Sequence, residues 1–250
     1  MNNELFIFCL RLADNCLILA HRQSELCSKS PFLEEDIAQT NFGLDLLGQA
    51  EAIYNFAAEI EGNINTPDDL VYKRNERSFY NFILSEQPNT DFAFVVIRQY
   101  FMSVYLKIIY TTLSNIKDSE LSGISLKALK ELDYQINHFE LWIKRLGLGT
   151  KESKEKIQNA INELWIFTGE LFERDNLDLN MEKNGYLLNS NLFYKKWINY
   201  INDIFNKSNL NIPKDAYMIT GSKNGIHSEY MGFILTEMQF LQRTFPDAKW

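Results

Sequence analysis

Residues 121–146, LSGISLKALKELDYQINHFELWIKRL, place apolar side chains at Leu121, Ile124, Ala128, Leu132, Ile136, Phe139, Ile143 and Leu146. Every step is three or four residues, which puts all of them on one face of an α-helix about seven turns long. Gly147-Leu148-Gly149 follows, and glycine there is expected to end the helix in the left-handed conformation. Working outward, Leu5, Phe8, Leu12, Cys16 and Leu19 repeat the same spacing near the amino terminus. A long helix is expected from about Phe32 to Glu61, ending at Gly62-Asn63, and others over roughly 68–86, 90–117, 152–174, 190–208 and 225–244. The prolines, Pro31, Pro67, Pro88, Pro213 and Pro246, each sit at the edge of one of these patterns. Alternating strand patterns are nearly absent, and Asn184-Gly185 allows at most a short hairpin. Long helices joined by short turns make an all-α helical bundle, and with no linker or change of composition residues 1–250 read as a single domain without internal repeats.

Composition narrows the function classes. A net charge of -8 argues against nucleic-acid or membrane-surface binding, which needs clustered Lys and Arg. The aromatic fraction of 14% is high enough to fill a thick core or a buried interface as well. MNNELFIFCLRLADN is a poor signal peptide, with Glu4 and no basic segment ahead of its apolar stretch, and the run Leu5–Leu10 is far too short to span a bilayer. Cys9 and Cys16 on one helix would lie about 10 Å apart, beyond disulfide reach, and no CxxC pair exists with Cys27. The cysteines read as small core residues of a cytoplasmic protein.

A bundle of this length raises the question of a di-iron carboxylate centre, which takes a Glu from each of two helices and a Glu-x-x-His from each of two others. The histidines are His21, His138 and His227, and the residues three before them are Ile18, Gln135 and Asn224. No Glu-x-x-His is present. Glu131 and His138 share a face with Gln135 between them, and they are expected to be buried or interface polar residues rather than iron ligands. No G-x-S-x-G or phosphate-binding glycine loop occurs, and Cys16 lies on a core face. Asp14, Asn15, Asn41 and Asp45 sit within apolar helix patterns and should meet one another, Arg11, Arg98 or backbone groups. Near the carboxyl terminus Gly221 and Gly225 bracket a turn, His227 and Glu229 open the last helix, and Met231, Ile234, Met238 and Leu241 form a helical stripe expected in the core.

Six blocks taken in order carry a resemblance: LRLADNCLILAHR, NFGLDLLGQA, SEQPNTDFAF with IRQYF, KALKELDYQ, INELWIFTGELF, and GIHSEYMG with LTEMQFLQR. Together they resemble the C-subunit family of ring-1,2-phenylacetyl-CoA epoxidases over nearly the whole chain, to the closing Trp250. The resemblance implies a ferritin-like bundle with extra C-terminal helices. It also implies a structural, non-catalytic subunit of a multicomponent monooxygenase of aerobic phenylacetate breakdown. Its partners would be a related A subunit holding the di-iron site and the CoA thioester, a small bridging B subunit, and a reductase with flavin and an iron–sulfur centre. No cofactor, metal or catalytic residue is assigned to this chain. One departure stands out: where the family has Lys-Glu-x-x-Tyr-His, this sequence reads Lys130-Glu131-Leu132-Asp133-Tyr134-Gln135, with glutamine in place of histidine. Two other readings stay open, an autonomous ferritin-like oxygenase with an atypical site at Glu131, His138 and Asp45, and a helical adaptor for another partner.

Overall fold

The computed structural model describes residues 2–62, 64–214, 216–246 and 248; Asn63 and Trp250, named above, lie outside them. Four long helices form the bundle: α1 (Asn2–Ser24), α2 (Leu33–Glu61), α5 (Phe92–Leu113) and α6 (Ser119–Gly147). Two short helices, α3 (Pro67–Tyr72) and α4 (Ile83–Glu86), lie in the connection between α2 and α5. α2 and α6 run antiparallel: Glu35 meets His138 and Gln49 meets Glu131, while Phe32 and Phe92 both pack on Trp142. The end of α2 and the start of α5 therefore lie at opposite ends of the bundle, and residues 64–91 travel back along its length. Two antiparallel pairs joined by one long crossover is the ferritin-like arrangement. No strand occurs among the described residues, and Asn184-Gly185 closes a helix instead of a hairpin, with Gly185 at φ 81°.

α5 carries the most apolar surface and is buried along nearly its whole length, with Val96, Ile97, Phe101, Met102 and Tyr110 in the core. Phe92–Leu113 is long and apolar enough to cross a bilayer by length and composition, a property the sequence reading passed over. A helix that is apolar all round is equally one surrounded by protein, and here α6, α7 (Lys151–Trp165) and α9 (Ser190–Lys207) pack around it. Phe101 touches Trp165, Trp197 and Phe205, so the added helices are sealed to the bundle by aromatic packing. α8 (Asn176–Lys183) lies on α1, and α10 (Glu229–Thr244) lies on α3 and the turn Glu76–Ser78.

Four expectations need correction. The helix expected over 68–86 is broken: α3 ends at Tyr72 and residues 79–82 run extended before α4. No proline or glycine breaks it. Its backbone N–H groups are claimed from elsewhere, by Asp14 at Tyr80 (2.8 Å), Asn15 at Phe82 (3.0 Å) and Glu170 at Ile83 (2.5 Å). The helix expected over 152–174 stops at Trp165, and Gly169–Phe172 forms a 3-10 turn. A Cβ on Gly169 would meet Met218 at 2.7 Å, so a side chain is excluded where the two segments cross. α8 was not foreseen; a capping box between Asp175 and Asp178 starts it. Gly62 does end α2 in the left-handed conformation at φ 86°. Gly147 does not do so for α6. It is required because a Cβ there would fall 2.5 Å from the Ser208 carbonyl oxygen.

Candidate functional site

The interior of the bundle, where a ferritin-like protein would hold metal, is lined by amides. Gln23 of α1, Gln39 and Gln49 of α2, Gln99 and Ser103 of α5 and Gln135 of α6 are all buried. The carboxylates that reach this region are held apart, each on its own partners. Glu35 accepts from His138 Nε2 (2.8 Å), Trp142 Nε1 (2.8 Å) and Gln39, whose own Oε1 accepts from Gln23 Nε2 at 2.8 Å. Glu131 accepts from Gln49 Nε2 (2.9 Å), and Asp45 from Gln135 Nε2 (3.3 Å). Burial pushes the Glu35 carboxyl up, but hydrogen bonds from His138, Gln39 and Trp142 outweigh it and leave it below the usual range. Burial raises Asp45 and Glu131 despite the charge of Lys127. Lys127 comes no nearer to Glu131 than 3.9 Å.

This donor set does not fit a di-iron centre. Bridging two cations needs several hard anionic oxygens converging on one space, with imidazoles completing each iron. Here neutral amides occupy the shared interior, and no three His, Cys, Asp or Glu side chains among the described residues gather where an ion could sit. Glu131 and His138 are half-buried and do not meet; His138 packs edge-on against Phe42 at 5.0 Å and bonds Glu35 instead. Cys16 is fully buried between Gln49 and Tyr110, and burial pushes its thiol up to about 12, far from a nucleophile's range.

A second constellation gathers around the crossover. Asp14 accepts from Tyr54 OH, from Arg74 Nη1 at 3.1 Å and from the Tyr80 N–H. Asn15 accepts from the Phe82 N–H and Ser85 Oγ (2.8 Å) and donates to the Arg11 carbonyl (2.8 Å). The Arg22 Nε donates to the Glu86 carbonyl at 2.9 Å, Asn89 donates to the Arg22 carbonyl at 2.7 Å, and Arg98 donates to Asn89 Oδ1 at 2.7 Å. Glu86 is fully buried beneath His227 and Ser228, while Glu170 bonds the start of α4. The sequence placed Asp14 and Asn15 correctly as buried groups tied to backbone but missed the cation. Arg74 pairs with Asp14, whereas Arg11 turns to Asp175 and Asp178 (3.1 Å). Arg98 is paired with no carboxylate among the described residues, and burial, with Arg22 close by, lowers its pKa to about 9. Asn41 is exposed, and Leu241 lies 46% exposed outside the core stripe formed by Met231 and Ile234.

Most of the groups that converge on the crossover come from LADNC, SEQPN, IRQYF, TGELF and GIHSEY, five stretches lying within the six blocks quoted from the sequence; Tyr54 and Arg74 lie outside those blocks. All 250 residues match the family described as phenylacetic acid catabolic protein. The chain belongs to that family. It is also 42% identical, over 248 residues, to the C subunit of the 1,2-phenylacetyl-CoA epoxidase of Escherichia coli (strain K12), a match that takes in 99% of this chain and 100% of that protein. Within this phenylacetic acid catabolic protein, three of the blocks that carried the resemblance supply Asp14, Asn15, Glu170 and His227, which bond the backbone of the extended strap, residues 79–82, and of Ile83 after it. Arg74, Glu35, Glu86 and Glu170 were the residues that sequence reasoning missed. Glu86 and Glu170 stood within the quoted blocks, but nothing local marks either as buried. Arg74 and Glu35 stood outside any motif.

Proposed function

We propose that this chain is the structural subunit of a multicomponent phenylacetyl-CoA epoxidase, pairing with the di-iron catalytic subunit through the outer side of α2 and α6. The observation that carries this reading is an apolar face with no core to serve. Leu33, Ile37, Leu44 and Leu47 repeat along the side of α2 opposite its buried residues, and Tyr134 and Leu141 stand on the neighbouring flank of α6. Leu33 is 70% exposed, Leu44 61% and Tyr134 62%. Burying an aliphatic side chain is worth about 1.5–3 kcal/mol, so these six represent on the order of 10 kcal/mol before the costs of association. A face of this kind suits an obligate interface.

The Escherichia coli relative is by its name one subunit of an epoxidase, which supports a place for this chain in a multisubunit assembly. The amide-lined interior supports a division of labour in which the catalytic subunit holds the iron. The bridging subunit and the flavin and iron–sulfur reductase complete the assembly, and a cytoplasmic location suits a chain whose most apolar helix is spent inside its own bundle. Ile37→Asp with Leu44→Asp tests the face. The doubly substituted chain keeps its thermal midpoint and loses at least a hundredfold in affinity for the catalytic subunit. Unchanged affinity would place the interface elsewhere.

A further inference from the structure

The segment that precedes α10 turns on two glycines, with Gly221 at φ 135° and Gly225 at φ 69°, and delivers His227 into the protein beneath the crossover. Both the His227 and the Glu86 side chains are fully enclosed. We propose that the His227–Glu86 pair is a proton-operated latch that holds the C-terminal segment 221–244 on the crossover and loosens it when the imidazolium loses its proton.

The charge state follows from the partners. His227 Nε2 lies 3.0 Å from the Phe79 carbonyl oxygen, which can only accept, so Nε2 carries a hydrogen. Glu86 Oε2 takes the Ser228 N–H at 2.7 Å and lies 2.6 Å from Ser228 Oγ, while Oε1 takes Asn81 Nδ2 at 3.0 Å. A carboxyl surrounded by donors on both oxygens is in its ionised, accepting form. His227 Nδ1, 2.5 Å from Glu86 Oε1, therefore donates as well. With hydrogen on both nitrogens the ring is a cation, buried against its counter-ion. Taking one proton away sets a ring lone pair against a carboxylate inside the protein, with water excluded from both.

The nearest charges favour the proton. The crossover contributes Glu86 and, farther off, Glu76; the 3-10 turn Gly169–Phe172 contributes Glu170 beside Glu86. The cation on the far side, Arg22 of α1, bonds the Glu86 carbonyl and lies 6.0 Å from the Tyr230 ring. Lys223 of the same segment is spent on Asp178 and the Glu173 carbonyl, and Glu229 follows on α10. Burial lowers the His227 pKa, but the bond and charge of Glu86 more than reverse this and raise it above the ordinary histidine value. Behind the latch α10 is tied to the crossover by Gln239, which donates to the Val71 and Arg74 carbonyls, by Arg243, which donates to the Arg74 carbonyl and Asn75 Oδ1, and by Met231, Ile234 and Leu235.

Two measurements on the full chain test the latch. In the first, ring nitrogen NMR follows His227 from pH 5 to 9; the imidazolium pattern should persist at pH 7, with a midpoint above 6.5. In the second, hydrogen exchange of residues 226–244, corrected for intrinsic rate, follows the same range. Protection should fall about tenfold for each pH unit above that midpoint. In His227→Gln, which keeps a donor toward Glu86 but cannot titrate, the profile should lose the His227 step and keep only the decline that Glu170 contributes. A His227 midpoint at or below 6.5 overturns the proposal, as does protection in the unsubstituted chain that follows the variant across the whole range.

Discussion

Asp14 is fully buried, and its charge is answered by one residue that arrives from the crossover. Its oxygens accept from the Arg74 guanidinium, Tyr54 OH and the Tyr80 N–H. Asp14→Asn keeps the shape and removes the charge. Arg74, whose side chain is 12% exposed, is then left without a counter-ion, and an amide NH2 is turned toward groups that are themselves donors. Breaking one partner out of a buried pair costs about 3–5 kcal/mol. For a chain of this length that corresponds to a fall of roughly 6–20 °C in thermal midpoint. Urea unfolding of the purified chain, fitted for midpoint and slope, reads the loss directly. The double variant Asp14→Asn, Arg74→Met removes the stranded cation and should recover at least a third of it. A loss below about 1 kcal/mol for Asp14→Asn would show that the crossover is held by apolar packing alone and that the ion pair is incidental.

Four further outcomes follow from the structure. Stability should decline as pH rises from about 5 to 8: Glu170, raised from 4.5 to about 7 by burial, and His227, raised by Glu86, both bind more proton folded than unfolded. On the acid side Glu35, Asp69 and Asp175, held below their ordinary values, lose their contribution as they protonate, so chemical denaturation across pH should peak near about pH 5–6. Glu170→Gln should remove roughly 3 kcal/mol of that alkaline decline, and an unchanged slope would contradict the assignment. Gly225→Ala should cost about 2 kcal/mol or more by calorimetry, since its Cβ would meet left-handed strain and overlap the Arg77 carbonyl oxygen. Glu35→Ala, which strands His138, Trp142 and Gln39, should lower stability by about 2–4 kcal/mol and shift the Trp142 emission, with no change if the network is wet and replaceable.

The helical periodicity of residues 121–146 was enough to reveal the bundle, because a long helix with one buried face writes its period directly into the sequence. The breaks were harder. Residues 79–82 read as helix, since Phe79-Tyr80-Asn81-Phe82 contains no breaker, and what unwinds them is side chains sixty to ninety residues away. Such competition for backbone N–H groups has no local signature. The lack of Glu-x-x-His was legible from three histidines and their neighbours; that Gln135 bonds Asp45 and that Glu35 answers His138 needed the packing of α2 against α6. Glu86, at the end of a four-residue helix and fully buried, was invisible as a charge centre because its cation comes from the other end of the chain.

Whether this chain orders a metal-bearing partner without holding iron itself is tested most directly by native mass together with iron content. The chain is expressed alone and together with the catalytic subunit, and both preparations are analysed by native mass spectrometry and metal assay. The expected result is an iron-free chain when alone and a stoichiometric complex whose two irons travel with the partner. A lone chain that retains about two irons through purification, or one that never elutes with the catalytic subunit, would contradict that division of labour.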